Sequence, residues 1–146
     1  MPTPVTPPAD MIEKARLYVG NAYAPYSNFR VVSIVRSSTG KLYPGVNVEN
    51  SSYGLTICAE RTAIFNMVTN GEKSIREILV YFPDSEKPGV PCGACLQVIS
   101  EFSPDNTTRI YSCGSHFRSC LMYTLGELLP YRFKLDLEPL GRRSEE

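Results

Sequence analysis

Two stretches of the chain place apolar residues at the three-to-four-residue spacing of an α-helix: Ile57, Ala63, Ile64, Met67 and Val68, and later Ala94, Val98, Ile99 and Phe102. The first opens near Thr56, whose hydroxyl can cap free N–H groups, and stops at Asn70-Gly71, which predicts a helix over 56–69. The second predicts a helix over 93–102. Shorter β-patterned runs surround them. Phe29 to Arg36, Ser37-Ser38-Thr39-Gly40 and Leu42 to Val48 read as strand, turn and hairpin partner. Ile75 to Phe82, Thr108 to Ser112 and Phe117 to Tyr123 read as three further strands. Upstream, Asp10 has the position of a cap for a helix running to about Asn21, and Ala24-Pro25-Tyr26-Ser27 is a loop. A short helix begins at Leu125. This order predicts an α/β fold, a three-layer α/β/α sandwich with helices on both faces of a mixed five-stranded sheet. Two strand-helix units side by side in a parallel part of that sheet would bring their helix N-termini together at one edge.

Prolines at positions 2, 4, 7 and 8 make residues 1–9 a flexible leader, with residues 10–135 as a single domain and 136–146 as a charged, disordered tail. With 146 residues and 42% hydrophobic content, one core is expected. The formal net charge is zero and the Lys and Arg residues are scattered, so the chain lacks the basic stripe that nucleic-acid binding requires. No apolar run approaches the ~20 residues that span a bilayer. Five cysteines, an odd number, behind a polar N-terminus without a signal-peptide pattern predict a reducing, cytoplasmic location and no disulfide framework.

The cysteines are not scattered. Cys58-Ala59-Glu60 and Pro91-Cys92-Gly93-Ala94-Cys95 set three thiols and one carboxylate at the two predicted helix starts. Cys92 and Cys95 have metal-clip spacing, and the small Gly93 and Ala94 let backbone amides approach the sulfurs. At helix N-termini the macrodipole and free N–H groups favour thiolate over thiol. Three protein ligands on Zn2+ leave the fourth position to water, whose pKa the ion lowers from ~15.7 toward ~7. A carboxylate two residues from a ligand can take that water's proton and pass it on. Glu60 is therefore the general acid/base and Cys58, Cys92 and Cys95 are the metal ligands. A closed structural zinc site, completed by Cys113, Cys120 or His116, competes with this reading but leaves Glu60 without a role. Outside such a site Cys113 and Cys120 read as small buried residues.

These residues resemble the zinc-dependent cytidine deaminases of the short-chain, three-cysteine, homotetrameric kind, whose known signature has His or Cys before x-Glu and a later Pro-Cys-x-x-Cys. The resemblance runs from about Met11 to Phe133. It takes in Phe29-Arg30-Val31, Asn47-Val48-Glu49-Asn50-Ser51-Ser52-Tyr53, Cys58-Ala59-Glu60-Arg61-Thr62-Ala63 and Glu127-Leu128-Leu129-Pro130 as well as the clip. It implies one Zn2+ per subunit and hydrolytic deamination of cytidine or deoxycytidine in pyrimidine salvage. Cysteine at 58, where the deoxycytidylate, tRNA-adenosine and polynucleotide-editing branches typically carry histidine, points to a free nucleoside. By the same resemblance Glu60 protonates N3 and then the leaving amine, the Ala59 N–H holds the pyrimidine carbonyl, and the Val90 carbonyl faces the amino group. Asn47 and Glu49 hydrogen-bond the ribose 3′-hydroxyl, and Phe29 packs against the base. Tyr53 and Phe133 match positions that reach a neighbouring subunit's site, which implies a homotetramer. Taken alone, Asn47 and Glu49 also read as polar residues at a strand end, and Phe29, Tyr53 and Phe133 as core aromatics.

Two departures from the family pattern stand out. Leu96 occupies a position where the family usually has Arg, and Val31-Val32-Ser33 replaces its usual Val-Gly-Ala. Three thiolates leave a bound zinc ion with a net charge of about −1, and Arg61 is then the cation that drains charge from the sulfurs. A bound water of higher pKa and a slower enzyme near neutral pH are expected, and Val32 adds bulk beside Phe29. These departures keep open deamination of a different aminopyrimidine nucleoside, and a weakly active zinc-stabilised scaffold.

Overall fold

In the computed structural model, which describes residues 2–135, the predicted helices and strands occur in the predicted order with one strand added. They are β1 (Thr3–Pro4), α1 (Ala9–Tyr18), β2 (Val32–Ser37), β3 (Leu42–Val46), α2 (Ala59–Thr69), β4 (Ile75–Tyr81), α3 (Gly93–Glu101), β5 (Arg109–Cys113), β6 (Cys120–Thr124) and α4 (Leu125–Leu128). The sheet is mixed, with strand order β1-β6-β5-β4-β2-β3, and β4 and β5 are its parallel pair.

Period-two alternation along the strands buries both faces. Val32, Ile34, Leu79, Tyr81 and Tyr111 point to one side, where Met11 and Ala15 of α1 cover them. Val35, Ile78 and Ile110 point to the other, against Ala63, Ile64 and Met67 of α2 and Ile99 of α3. The sandwich expected from the sequence is therefore present, with α1 on one face and α2 and α3 on the other.

The sixth strand corrects the expectation of a loose leader. Thr3 and Pro4 pair with Met122 and Leu121, and the Val5 N–H donates to the Cys120 carbonyl at 3.1 Å. Proline is tolerated there because β1 is an edge strand and needs no donor on its outer side. The tail expected over 136–146 lies outside the described residues. Both anticipated helix caps are also corrected. Pro8 precedes α1, and Asp10 sits in its first turn, paired with Arg36 of β2 at 2.7 Å. Cys58 occupies the cap position of α2, while the Thr56 hydroxyl accepts from the Asn50 N–H at 3.2 Å. The stop at Asn70-Gly71 is as expected: Gly71 has φ +89° and its N–H donates to the Val68 carbonyl.

The strand-helix units that carry the cysteines are not neighbours in a parallel sheet. β2 lies between β3 and β4 and is antiparallel to both, so β3 and β4 run in the same direction with one strand separating them. The loops that follow them still emerge at one sheet edge. For α2 to cross back over β2 it must lie almost on β3, and Gly45 permits this. A Cβ at Gly45 would stand 2.1 Å from the Ala63 nitrogen and 2.7 Å from the Ala59 carbonyl oxygen. Gly45→Ala is therefore expected to destabilise the protein by about 3 kcal/mol or more, because backbone and not a flexible side chain must give way. Urea unfolding checks this, and an unchanged midpoint would contradict so close an approach.

Candidate active site

Cys58 and Cys92 are the residues immediately before α2 and α3, and Cys95 lies in the first turn of α3. The Cys92 sulfur acts as a helix cap, accepting from the Cys95 N–H at 3.5 Å. Two sulfurs each about 2.3 Å from one tetrahedral ion lie about 3.8 Å apart. Cys58 Sγ and Cys92 Sγ are 3.9 Å apart, and all three sulfurs lie within 4.8 Å of one another. Among the described residues this is the cluster that fits a metal ion; Cys113, Cys120 and His116 are not part of it. Cys113 and Cys120 are buried in the core on the α1 side of the sheet. Among the described residues, none of the three side chains that the closed structural alternative required joins the cluster.

Neighbouring groups set the charge of the sulfurs. The Cys95 thiol donates to Cys58, and Arg61 Nη2 approaches Cys58 Sγ at 3.4 Å, so the Cys58 pKa is drawn down to about 5. As the donor of that pair, Cys95 is pushed up. The Arg61 guanidinium interacts with both sulfurs and is held in its charged form. Immediately before Arg61 on the same helix, Glu60 is only 4% exposed. Burial is the main cause that raises its carboxyl to about 7, with the nearby Cys58 charge adding to the effect. A carboxyl poised there can exchange protons near neutral pH in either direction.

Glu60, Cys58 and Cys92 open into a cavity of about 300 Å³ that also includes every residue expected to bind substrate: Phe29, Asn47, Glu49, Ala59 and Val90. Hairpin geometry explains the convergence. β3 ends at Val46, and Val48 then bridges to Tyr23 on one side and to Ile57 on the other. The segment carrying Asn47 and Glu49 is thereby pinned beside the start of α2. Asn47 Oδ1 accepts from the Val31 N–H at 3.0 Å and Nδ2 donates to the Phe29 carbonyl at 2.8 Å, which splints the chain on both sides of Arg30, directly after Phe29. One Nδ2 hydrogen remains for a ligand. Glu49 accepts from the N–H groups of Tyr26 and Ser27 and from the Ser27 hydroxyl, so it orders the loop as well as facing the cavity. The Ala59 N–H is among the first N–H groups of α2, which have no intrahelical partner.

Several side chains differ from expectation. Ser27, Val31, Thr56, Ile57 and Phe82 line the cavity without having been expected to contribute to the site. Val32 points into the core under α1, so its bulk falls on the opposite sheet face from the cavity. Leu96 is 8% exposed and belongs to the core between the sheet, α2 and α3, where a guanidinium would have to be buried. Tyr53 and Phe133 are 77% and 69% exposed, which overturns their reading as core aromatics.

The description "cytidine and deoxycytidylate deaminase zinc-binding region" matches residues 7–111, and the chain belongs to that family. Among relatives, the cytidine deaminase of Mycoplasma genitalium is 39% identical over 124 residues, covering 85% of this chain and 93% of that protein. The cytidine deaminase of Halalkalibacterium halodurans is 42% identical over 112 residues, covering 77% and 83% respectively. The crystal structure of cytidine deaminase from Burkholderia pseudomallei aligns with a TM-score of 0.79 at 37% identity, covering 88% of this chain and 100% of that one. Zinc is accordingly the cofactor, and the sulfur spacing fits it.

The Glu60 shift has a consequence for stability. Its folded pKa of about 7 lies above the ordinary value of 4.5, so the folded chain binds the proton more tightly than the unfolded chain. In the metal-free protein the Glu60 contribution of roughly 3 kcal/mol is lost as pH rises from about 4.5 to about 7, while the depressed Cys58 thiol works in the opposite direction above about pH 5. Glu60→Gln removes the Glu60 contribution, so the variant should gain stability relative to wild type as pH rises through this range. Thermal melts of chelator-treated protein across this range check it, and an equally steep slope in the variant would contradict it.

Proposed function

We propose that the protein deaminates cytidine and deoxycytidine hydrolytically, giving uridine or deoxyuridine and ammonia, as a step of pyrimidine salvage. The observation that carries this is the convergence, in one cavity, of a buried carboxyl, three metal-spaced thiols and a hydrogen-bonding edge sized for a nucleoside. When bound, Zn2+ supplies a Lewis acid that makes water nucleophilic near neutral pH. Glu60 takes the proton from the water that attacks C4, delivers one to N3 and then one to the departing amino group. The Ala59 N–H holds the pyrimidine carbonyl, and the Val90 carbonyl accepts from the 4-amino group. Asn47 donates to the 3′-hydroxyl and Glu49 accepts from it, and the carboxylate disfavours a nucleotide's phosphate. Phe29 offers its ring to the base, and Arg61 withdraws charge from the sulfurs.

Exposure of Tyr53 and Phe133 supports a homotetramer in which they extend toward neighbouring sites. Tyr53 also borders a second hollow that shares Ser27, Glu49 and Thr56 with the substrate cavity. Five free thiols suit a reducing cytoplasm.

The loss of ultraviolet absorbance as cytidine becomes uridine tests the reaction in zinc-loaded protein. Glu60→Gln is expected to lower kcat by about 10²–10⁴-fold with zinc content unchanged. Equal rates in variant and wild type would remove Glu60 from the mechanism, and a zinc-loaded wild type silent toward cytidine would shift the substrate to another aminopyrimidine nucleoside.

A further inference from the structure

Arg30 and Asp84 are 54 residues apart in sequence and joined by three hydrogen bonds. The Arg30 N–H donates to Asp84 Oδ2 at 2.8 Å, Nε to the same oxygen at 3.0 Å, and Nη2 to Oδ1 at 2.6 Å. Each partner sits beside an aromatic wall of the substrate cavity: Phe29 precedes Arg30, and Phe82 lies two residues before Asp84. The two rings meet with centroids 6.1 Å apart and planes tilted by 39°. A base stacked between two rings needs roughly 7 Å between them, so Phe29 and Phe82 form one corner and not a sandwich.

The two walls are anchored differently. On the Phe82 side, the Phe82 N–H donates to the Cys113 carbonyl at 2.8 Å and the Ser115 N–H to the Ser85 carbonyl at 2.7 Å. Gly114 packs so closely beneath that a Cβ would stand 2.2 Å from the Glu86 carbonyl oxygen. This wall is therefore referenced to the end of the sheet. Phe29 is 38% exposed and follows Asn28, whose φ is +57°. It has little burial of its own to hold it. Its segment is tied to the strand end by Asn47 and Glu49 and to the opposite wall by Asp84. A partly exposed ion pair adds little to stability, but a bidentate pair with a backbone N–H as third donor fixes orientation.

We propose that Arg30 and Asp84 form a latch that holds Phe29 against Phe82 as a preformed corner for the cytosine ring. Both are positioning residues, and Phe82 contacts the base. The proposal rests on the nucleoside reading above.

The test uses the full zinc-loaded chain and the variants Arg30→Gln, Asp84→Ala, their double and Phe82→Leu. Asp84→Ala is expected to raise KM for cytidine about fivefold with kcat within about twofold, the pattern of lost ground-state binding. The double should be no worse than Asp84→Ala, since both remove one interaction. Phe82→Leu should also raise KM. Melting temperatures should stay within a few degrees, while hydrogen exchange of the amides over 28–31 speeds up in Asp84→Ala. A fall in kcat at constant KM, effects that multiply in the double, or an unchanged KM in Phe82→Leu would overturn the positioning role. Unchanged exchange over 28–31 would overturn the latch itself. A wild type silent toward cytidine would instead overturn the nucleoside reading and the role in base binding with it, and the exchange measurement would still decide the latch.

Discussion

Three thiols brought within 4.8 Å of one another repel as they ionise, and the fold's task is to hold them there until a cation compensates. Two helix N-termini do this, because each presents free N–H groups and the positive end of a dipole. Their meeting point depends on strand direction. β3 and β4 both run toward the same sheet edge with β2 between them, and α2 presses onto β3 at Gly45 to reach that edge. Among the described residues, Arg61 is the cation drawn directly onto the sulfurs, with its shortest approach to Cys58. With Leu96 committed to the core, charge relief at this site falls on Arg61 and the helix dipoles.

The same edge holds the buried Glu60 carboxyl. A carboxyl buried beside thiolates is costly to ionise, and that cost is what brings Glu60 to about 7. Its place on the first turn of α2 follows from its being two residues after Cys58, so thiol and carboxyl are positioned by one helix start. Asn47 and Glu49 reach this point through the bridge between Val48 and Ile57. The three thiols, the Glu60 carboxyl, Asn47 and Glu49 thus share one structural junction.

What could be seen in the sequence is what is local in the chain. Cys58-x-Glu60 and Cys92-x-x-Cys95 lie within a single turn each, so their spacing already carries the geometry. The helices and five of the six strands were legible from apolar period. β1 was not, because a two-residue strand containing Pro4 has no period to detect. The caps misled for a physical reason: Asp10 is engaged by Arg36, and at α2 a thiol stands where a hydroxyl was expected. Val32 and Leu96 were recognised as apolar, but which face they cover depends on register and helix phase. Phe82 and Asp84 escaped notice because their partners are Phe29 and Arg30, more than fifty residues earlier.

X-ray absorption at the zinc edge of the metal-loaded full chain tests the central claim most directly. The account predicts three sulfurs at about 2.3 Å and one lighter oxygen or nitrogen ligand. Four sulfurs, or three sulfurs with a histidine signature from His116, would show a closed structural site and contradict an open position for water beside Glu60.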